Sequence, residues 1–191
     1  GLKQTGAAKW TAGAISPSIN MNADTAATAS FGIEMKETGY DAIVVHGRAA
    51  KPVYIVVDDG KAKIKDAKKF WGKDAYQTED GIKEAEGDDF EVVTIGQAGE
   101  MKMSGASIAF TDMELRPTRH AGRGGVGAVM GAKGVKVIVL DDTGMSMRAP
   151  KDPKKYAEAN KKFVEGLKKH PVTGEGLPAY GTNVLTNVIN E

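Results

Sequence analysis

The chain contains no cysteine. Disulfides and thiolate metal sites within these residues are therefore excluded. Histidine is nearly as scarce: His46, His120 and His170 stand far apart, which argues against an imidazole metal centre. Aromatic residues make up 6%, and 26 Lys and Arg balance 25 Asp and Glu, for a net charge of +1. A nucleic-acid partner calls for a basic excess and stacking platforms, so none is expected. No apolar run approaches the roughly 20 residues needed to cross a bilayer, and no membrane partner is expected. The first residues lack the charged head and apolar core of a signal peptide, so the expected location is cytoplasmic. At 191 residues the chain suits one domain with a substantial core, or one domain and a tail.

Glycine is abundant and concentrated. Residues 119–131 hold five glycines and two arginines, and a β-branched run over 135–140 follows. Glycines let backbone approach an anion, a helix start aims free N–H groups at it, and arginine forks suit phosphate. One reading is an anion-binding turn feeding a helix and then a strand. The other is a glycine-rich helix start packed against a sheet, with surface arginines. The dinucleotide fingerprint fits poorly, because Pro117, Thr118, Arg119 and His120 precede the glycines where a strand is required. No Gly-Lys-Ser/Thr follows, so the stretch is not a Walker A loop.

Along the chain, Ser16, Pro17 and Ser18 predict a turn between short strands. A helix is expected from Asn22, capped there or at Asp24, with Phe31, Ile33 and Met35 inward and Gly39 as its stop. Strands are expected at 42–45, 52–57 and 90–95. A hairpin turn at 58–60 should lead to a strand at 62–65. Phe70 and Trp71 read as sheet closures, Trp71 as a core or edge anchor. Residues 78–86 suit a polar surface helix, and 101–110 a small-residue strand interrupted at Gly105. Residues 154–169 place Tyr156, Ala159, Phe163 and Leu167 on one helical face, with lysines as a solvated face. Residues 181–189 read as an apolar helix start, which suggests a partner or a truncated chain.

Two segments 95 residues apart repeat each other. Residues 31–45 lie over 126–140, matching Gly32 with Gly127, Met35 with Met130, Gly39 with Gly134, Ile43 with Ile138 and Val44 with Val139. Each copy reads as helix, glycine stop, buried strand. Two similar halves would set their helix starts, near 24–28 and 119–123, at equivalent places, which suits a ligand with two phosphate-bearing arms.

The run 123–131 with Lys133 and residues 136–138 resembles the N-terminal domain of tungsten-containing aldehyde:ferredoxin oxidoreductases. So do residues 38–45, 50–55, 95–100 and 176–182, in the family's order and near its spacing over residues 9–190. The resemblance implies an α+β fold of two similar halves of mixed β-sheet with helices, plus a C-terminal helix. It implies a partial N-terminal domain at residues 4–148, since family members begin upstream of Gly1, and a helical linker at 149–191 leading toward a second domain.

In the resembled family this domain cradles a tungsten bis-pterin, with magnesium linking the pterin phosphates through backbone carbonyls; molybdenum shares the same pterin. Carried over by position, Arg119, His120, Gly122 and Arg123 fall on the pterin-contacting segment. Ala26 and Thr28 fall on its counterpart in the first half, and Lys9 on a contacting arginine. Ala26 and His120 fall on the magnesium-linking positions. Lys9 replaces a planar fork with a point charge. Ala26 stands where the family often has Asn, and Thr28 where it often has Gly, but a carbonyl ligand survives side-chain change. His120 either contacts the pterin or points to solvent.

The implied activity of the whole enzyme is oxidation of an aldehyde to a carboxylic acid. Electrons would pass through the pterin to a 4Fe-4S cluster, and then to ferredoxin. The cluster's ligands belong to domains outside this chain, so the remaining domains or a companion subunit are implied partners, with a homodimer possible in principle. This chain alone is expected to show no turnover. The alternatives are a stand-alone phosphate- or nucleotide-binding module and an inactive domain fragment that folds without binding.

Overall fold

Runs rich in Val and Ile at successive positions are the signature of strands buried on both faces, and three strands buried in this way build the centre of this protein. In the computed structural model they are β3 (Val53–Asp58), β5 (Glu91–Thr94) and β8 (Val135–Asp141). The structure describes residues 9–27, 30–58, 60–87, 90–112, 114–145 and 149–190. Successive side chains of a strand point to opposite faces. Ile55, Val57, Val93, Ile138 and Leu140 accordingly enter one core, and Tyr54, Val56, Val92, Val137 and Val139 the other.

With β4 (Lys61–Asp66), β6 (Ile108–Phe110) and β7 (Arg119–Ala121), these strands form a six-stranded sheet in the order β4-β3-β8-β5-β6-β7. β3 and β8 run parallel and the other pairs antiparallel. A separate antiparallel hairpin joins β1 (Trp10–Ile15) to β2 (Asn22–Ala27), in register from Trp10 opposite Ala27 to Ile15 opposite Asn22. The architecture is α+β with mixed sheet, as expected.

One core is closed by α1 (Phe31–Glu37) and α4 (Val126–Ala132), whose Phe31, Met35, Val126 and Met130 are buried in it. Trp10, Phe31 and Phe110 stack there, Trp10 on Phe31 edge-to-face at 4.9 Å and Phe31 on Phe110 at 5.7 Å. The other core is closed by α2 (Ala75–Glu86) through Ile82, with Phe70 beneath Tyr54. Burying each such side chain contributes about 1.5–3 kcal/mol. Trp71 is half-buried beside this core.

Several expectations are corrected. No helix begins at Asn22: residues 22–27 form β2, because Thr25 and Ala27 are buried at strand spacing and β1 supplies a ladder. Pairing overrides the helical preference of alanine, and the helix begins at Phe31. Residues 42–45 form no ladder strand. Within 101–110 only β6 is strand, preceded by α3 (Gln97–Glu100) and turns. α2 starts three residues before Thr78, because Asp74 and Gln77 form a reciprocal capping box. Thr78 and Glu79 are buried rather than solvated.

The repeat survives in part. α1 and α4 are each followed by a glycine of positive φ, +85° at Gly39 and +73° at Gly134, a conformation L side chains rarely adopt. Buried charge accumulates around β8. Lys136 is fully buried; its Nζ donates to Glu100 Oε1 at 2.6 Å, Ile95 O at 2.6 Å and Lys73 O at 2.8 Å. Glu100 also accepts the Gly72 N–H at 2.8 Å. Glu34 of α1 and Glu91 of β5 face each other, and burial raises both carboxyls above the carboxylate range, with repulsion from Glu91 adding at Glu34 and from Glu79 and Asp142 at Glu91.

Residues Ala149–Glu191 form a second unit, separate from Gly6–Arg148. It contains α5 (Pro153–Lys169), capped by Asp152 with Pro153 in its first turn, and then short helical turns over 171–189. No α5 residue is buried, and Phe163 is 43% exposed. No helix among the described residues is long and apolar enough to cross a membrane.

Candidate functional site

The β1–β2 hairpin meets the edge of the six-stranded sheet where β2 lies against β7. There the Arg123 backbone N–H donates to the buried Thr25 Oγ1 at 3.1 Å, joining segments 98 residues apart. Gly124 closes the seam: a methyl group on it would stand 2.8 Å from Ala23 Cβ. At the offset of the repeat, Thr25 corresponds to His120 and Ala26 to Ala121. The seam therefore lies between equivalent parts of the two halves.

The residues singled out from the sequence, Thr28 excepted, lie on this seam or beside it. Arg119 and His120 are exposed on β7, and Gly122 and Arg123 are exposed in the turn that follows. Ala26 is exposed on β2 between the buried Thr25 and Ala27. Lys9, also exposed, directly precedes Trp10, which is registered opposite Ala27. Thr28 lies outside the described residues. The Thr25–Arg123 bond thus links the turn 122–123 to the strand bearing Ala26.

Local chemistry explains why β7 is held where it is. Asp112 organises the preceding loop by accepting N–H bonds from Glu114 at 2.8 Å and Arg116 at 3.1 Å, and the Thr118 hydroxyl at 2.6 Å. That hydroxyl, with the two N–H groups, holds the Asp112 carboxyl down to about 2. His120 Nδ1 lies 3.0 Å from Ser107 Oγ, so its ring is tethered rather than free in solvent. Among the described residues, Lys9, Arg119 and Arg123 form no ion pair with a carboxylate. Nor do these residues include a cluster of three or more His, Asp or Glu able to hold a metal.

The glycines prove to have a different use from the one first expected. A Cβ on Gly125 would fall 2.0 Å from Ser104 O, on Gly127 2.3 Å from Ser107 O, and on Gly131 1.9 Å from Gly99 O. These three let α4 lie directly on the backbone of residues 99–107. The packed-helix reading is correct for them. Gly122 alone of the turn's glycines faces open space, with nothing within 4 Å of a built Cβ. A strand does precede the glycines, contrary to expectation. However, β7 is an antiparallel edge strand while β8 lies at the sheet's centre, so the parallel β-α-β of a dinucleotide fold is not formed.

A family model described as "Aldehyde ferredoxin oxidoreductase, N-terminal domain" matches residues 1–142. The chain belongs to the aldehyde ferredoxin oxidoreductase family. The chain is 45% identical over 162 residues to the tungsten-containing aldehyde ferredoxin oxidoreductase of Pyrococcus abyssi, covering 84% of this chain and 26% of that protein. The enzyme of the same name from Pyrococcus horikoshii is 46% identical over the same shares. The WOR-like subunit of an aliphatic sulfonate oxidoreductase from Pyrococcus furiosus is 32% identical, over 68% of this chain and 22% of that one. Among solved structures, the active-site complex BamBC of benzoyl coenzyme A reductase superposes with a TM-score of 0.79 at 31% identity, over 86% of this chain and 24% of that one. The chain thus spans about a quarter of the length of these relatives.

Sequence reasoning missed Thr25, Ser107 and Asp112. Thr25 could have been suspected from its alternation with Ala23 and Ala27. The partners that give Ser107 and Asp112 their roles are visible only in the folded chain.

Proposed function

We propose that this chain is the cofactor-gripping part of a tungsten bis-pterin oxidoreductase, and that the whole protein oxidises an aldehyde to a carboxylic acid with ferredoxin as electron acceptor. The observation that carries the reading is the bond between Arg123 N–H and Thr25 Oγ1, which holds one corner from each half of the repeat together. A ligand with two phosphate arms fits such a pair of corners. Cations without carboxylate partners, Lys9, Arg119 and Arg123, flank it, and Gly122 leaves room for close approach.

The donor set suits the group. Arg119 and Arg123 would give paired N–H contacts to phosphate, and Lys9 a point charge. The backbone carbonyls of Ala26 and His120 would hold a magnesium ion between the phosphates, since hard cations take carbonyl oxygen. The tether from Ser107 would keep the His120 ring from sweeping across the site. Bound there, a tungsten pterin would supply two-electron chemistry, and a 4Fe-4S cluster in the remaining domains would be its electron acceptor. The residues of this chain bind and orient; they move no proton in the reaction. The remaining domains or a companion subunit, and a second copy in a homodimer, complete the assembly.

The test uses the full-length polypeptide produced in a tungsten-supplied host. Wild type should retain tungsten and pterin. Replacing both Arg119 and Arg123 with Ala removes two charge-assisted contacts of about 1.5–3 kcal/mol each, so retained tungsten should fall by at least about tenfold. The 191-residue chain alone should show no aldehyde-dependent dye reduction. Isolation with a bound nucleotide and no tungsten would instead establish the stand-alone nucleotide-binding reading.

A further inference from the structure

Other buried carboxylates of this chain are compensated. Glu100 pairs with Lys136 at 2.6 Å and Glu79 with Lys83 at 3.3 Å, while Asp112 accepts from two backbone N–H groups and a hydroxyl. Glu91 of β5 is 2% exposed and has no such compensation. Ser30 and Glu34 stand beside its carboxyl, and Glu79 and Asp142 add negative charge from nearby. Asp142 and Glu37 do the same at Glu34. Among the described residues, neither Glu34 nor Glu91 forms an ion pair with Lys, Arg or His.

Three oxygen atoms of this group are left unsatisfied. Ser30 Oγ, Glu34 Oε2 and Glu91 Oε2 are buried and have no hydrogen-bond partner among the described residues. Ser30 stands at the N-cap of α1, where a serine usually accepts a backbone N–H, but its hydroxyl makes no capping bond. Buried polar atoms are as a rule paired, so a set of them left open in a wholly negative surrounding calls for a cation. All three are hard oxygen donors. Glu34 is only half-buried, which leaves one side open to water. Magnesium is held in this manner, through one or two carboxylates with water in its other positions.

We propose that Ser30, Glu34 and Glu91 form a site for one hard divalent cation, magnesium by its donor set, which ties α1 of the first half to β5 of the second. The ion gives Glu91 the positive charge that Lys136 gives Glu100. This site does not depend on the proposed cofactor, whose magnesium would rest on the carbonyls of Ala26 and His120.

Urea unfolding of the 191-residue chain, first stripped with a chelator, tests this. Added MgCl2 should raise the midpoint. Above the dissociation constant, the unfolding equilibrium constant should fall about tenfold for each tenfold rise in magnesium, the slope of a single site. KCl at matched ionic strength should not reproduce the rise, since screening alone treats the two salts alike. Glu91→Gln and Glu34→Gln should each abolish the response to magnesium. A second readout needs no variant: in wild type, Mn²⁺ should broaden the amide signals of Ile33, Glu34 and Val92 before those of Ala26 and Ala121. The proposal is overturned by no response to magnesium, by an equal rise in KCl, by a response that both variants keep, or by broadening that begins at Ala26 and Ala121.

Discussion

The two halves of the repeat carry the same series of helix, glycine and apolar run, yet only the second run becomes a ladder strand. β8 lies between β3 and β5 and is buried along six of its seven residues. Its counterpart at 40–46 pairs with no strand among the described residues. Val139 is completely buried while Val44, its equivalent, is 71% exposed. The lesson is that an apolar β-branched run specifies a capacity for strand, and neighbours convert it into one.

The contrast can be broken at equivalent positions. The largest effect is expected at Lys136, whose removal leaves Glu100 charged and buried. Lys136→Met should cost about 3–5 kcal/mol in urea unfolding. The side chain of its counterpart Asp41 is 87% exposed and, among the described residues, pairs with Lys36, so Asp41→Asn should cost no more than about 1 kcal/mol. Equal costs would mean that the first half is as tightly built as the second.

Next come the paired helix glycines. Gly127→Ala drives a methyl against Ser107 O and should destabilise by about 3 kcal/mol, the upper end for overpacking. Gly32→Ala meets Lys9 O at 3.1 Å, a contact that a small shift relieves. Against it stands the gain of about 1 kcal/mol in helix propensity, so the net change should lie near zero. Thermal melts of both variants decide the matter.

The smallest effect concerns the carboxyl pair that joins the halves, Glu34 from the first and Glu91 from the second. Their folded values are raised above the unfolded one near 4.5. Their contribution to stability is therefore complete below that range. It is lost as pH rises through the raised values, toward about 9 for Glu34. Wild type should lose stability progressively over this window. Glu34→Gln, titrated by denaturant midpoint at several pH values, should flatten the curve.

Much of the architecture was legible beforehand. The strands at 53–58 and 135–141 announced themselves by their largely apolar, β-branched runs, α5 by its face of Tyr156 and Phe163, and the hairpin by its Asp-Gly turn. Residues 22–27 misled because Ala and Asp favour helices and caps locally, whereas burial of Thr25 depends on a partner strand. For the candidate site, the exposed cations and Gly122 could be read directly. The work of Gly125, Gly127 and Gly131 could not, because a glycine that admits a ligand and one that admits a neighbouring backbone are identical in sequence.

The linear chain determined, through periodicity and spacing, several apolar strands, a duplicated helix–glycine unit and dispersed motifs, and the family resemblance those motifs carry implied the mixed sheet. Tertiary structure decided which duplicated run became a strand, which glycines met protein and which met open space, and that Thr25 would hold the two corners together. Those outcomes depend on which distant groups come within hydrogen-bonding and van der Waals range, a property of the folded chain that no local pattern encodes.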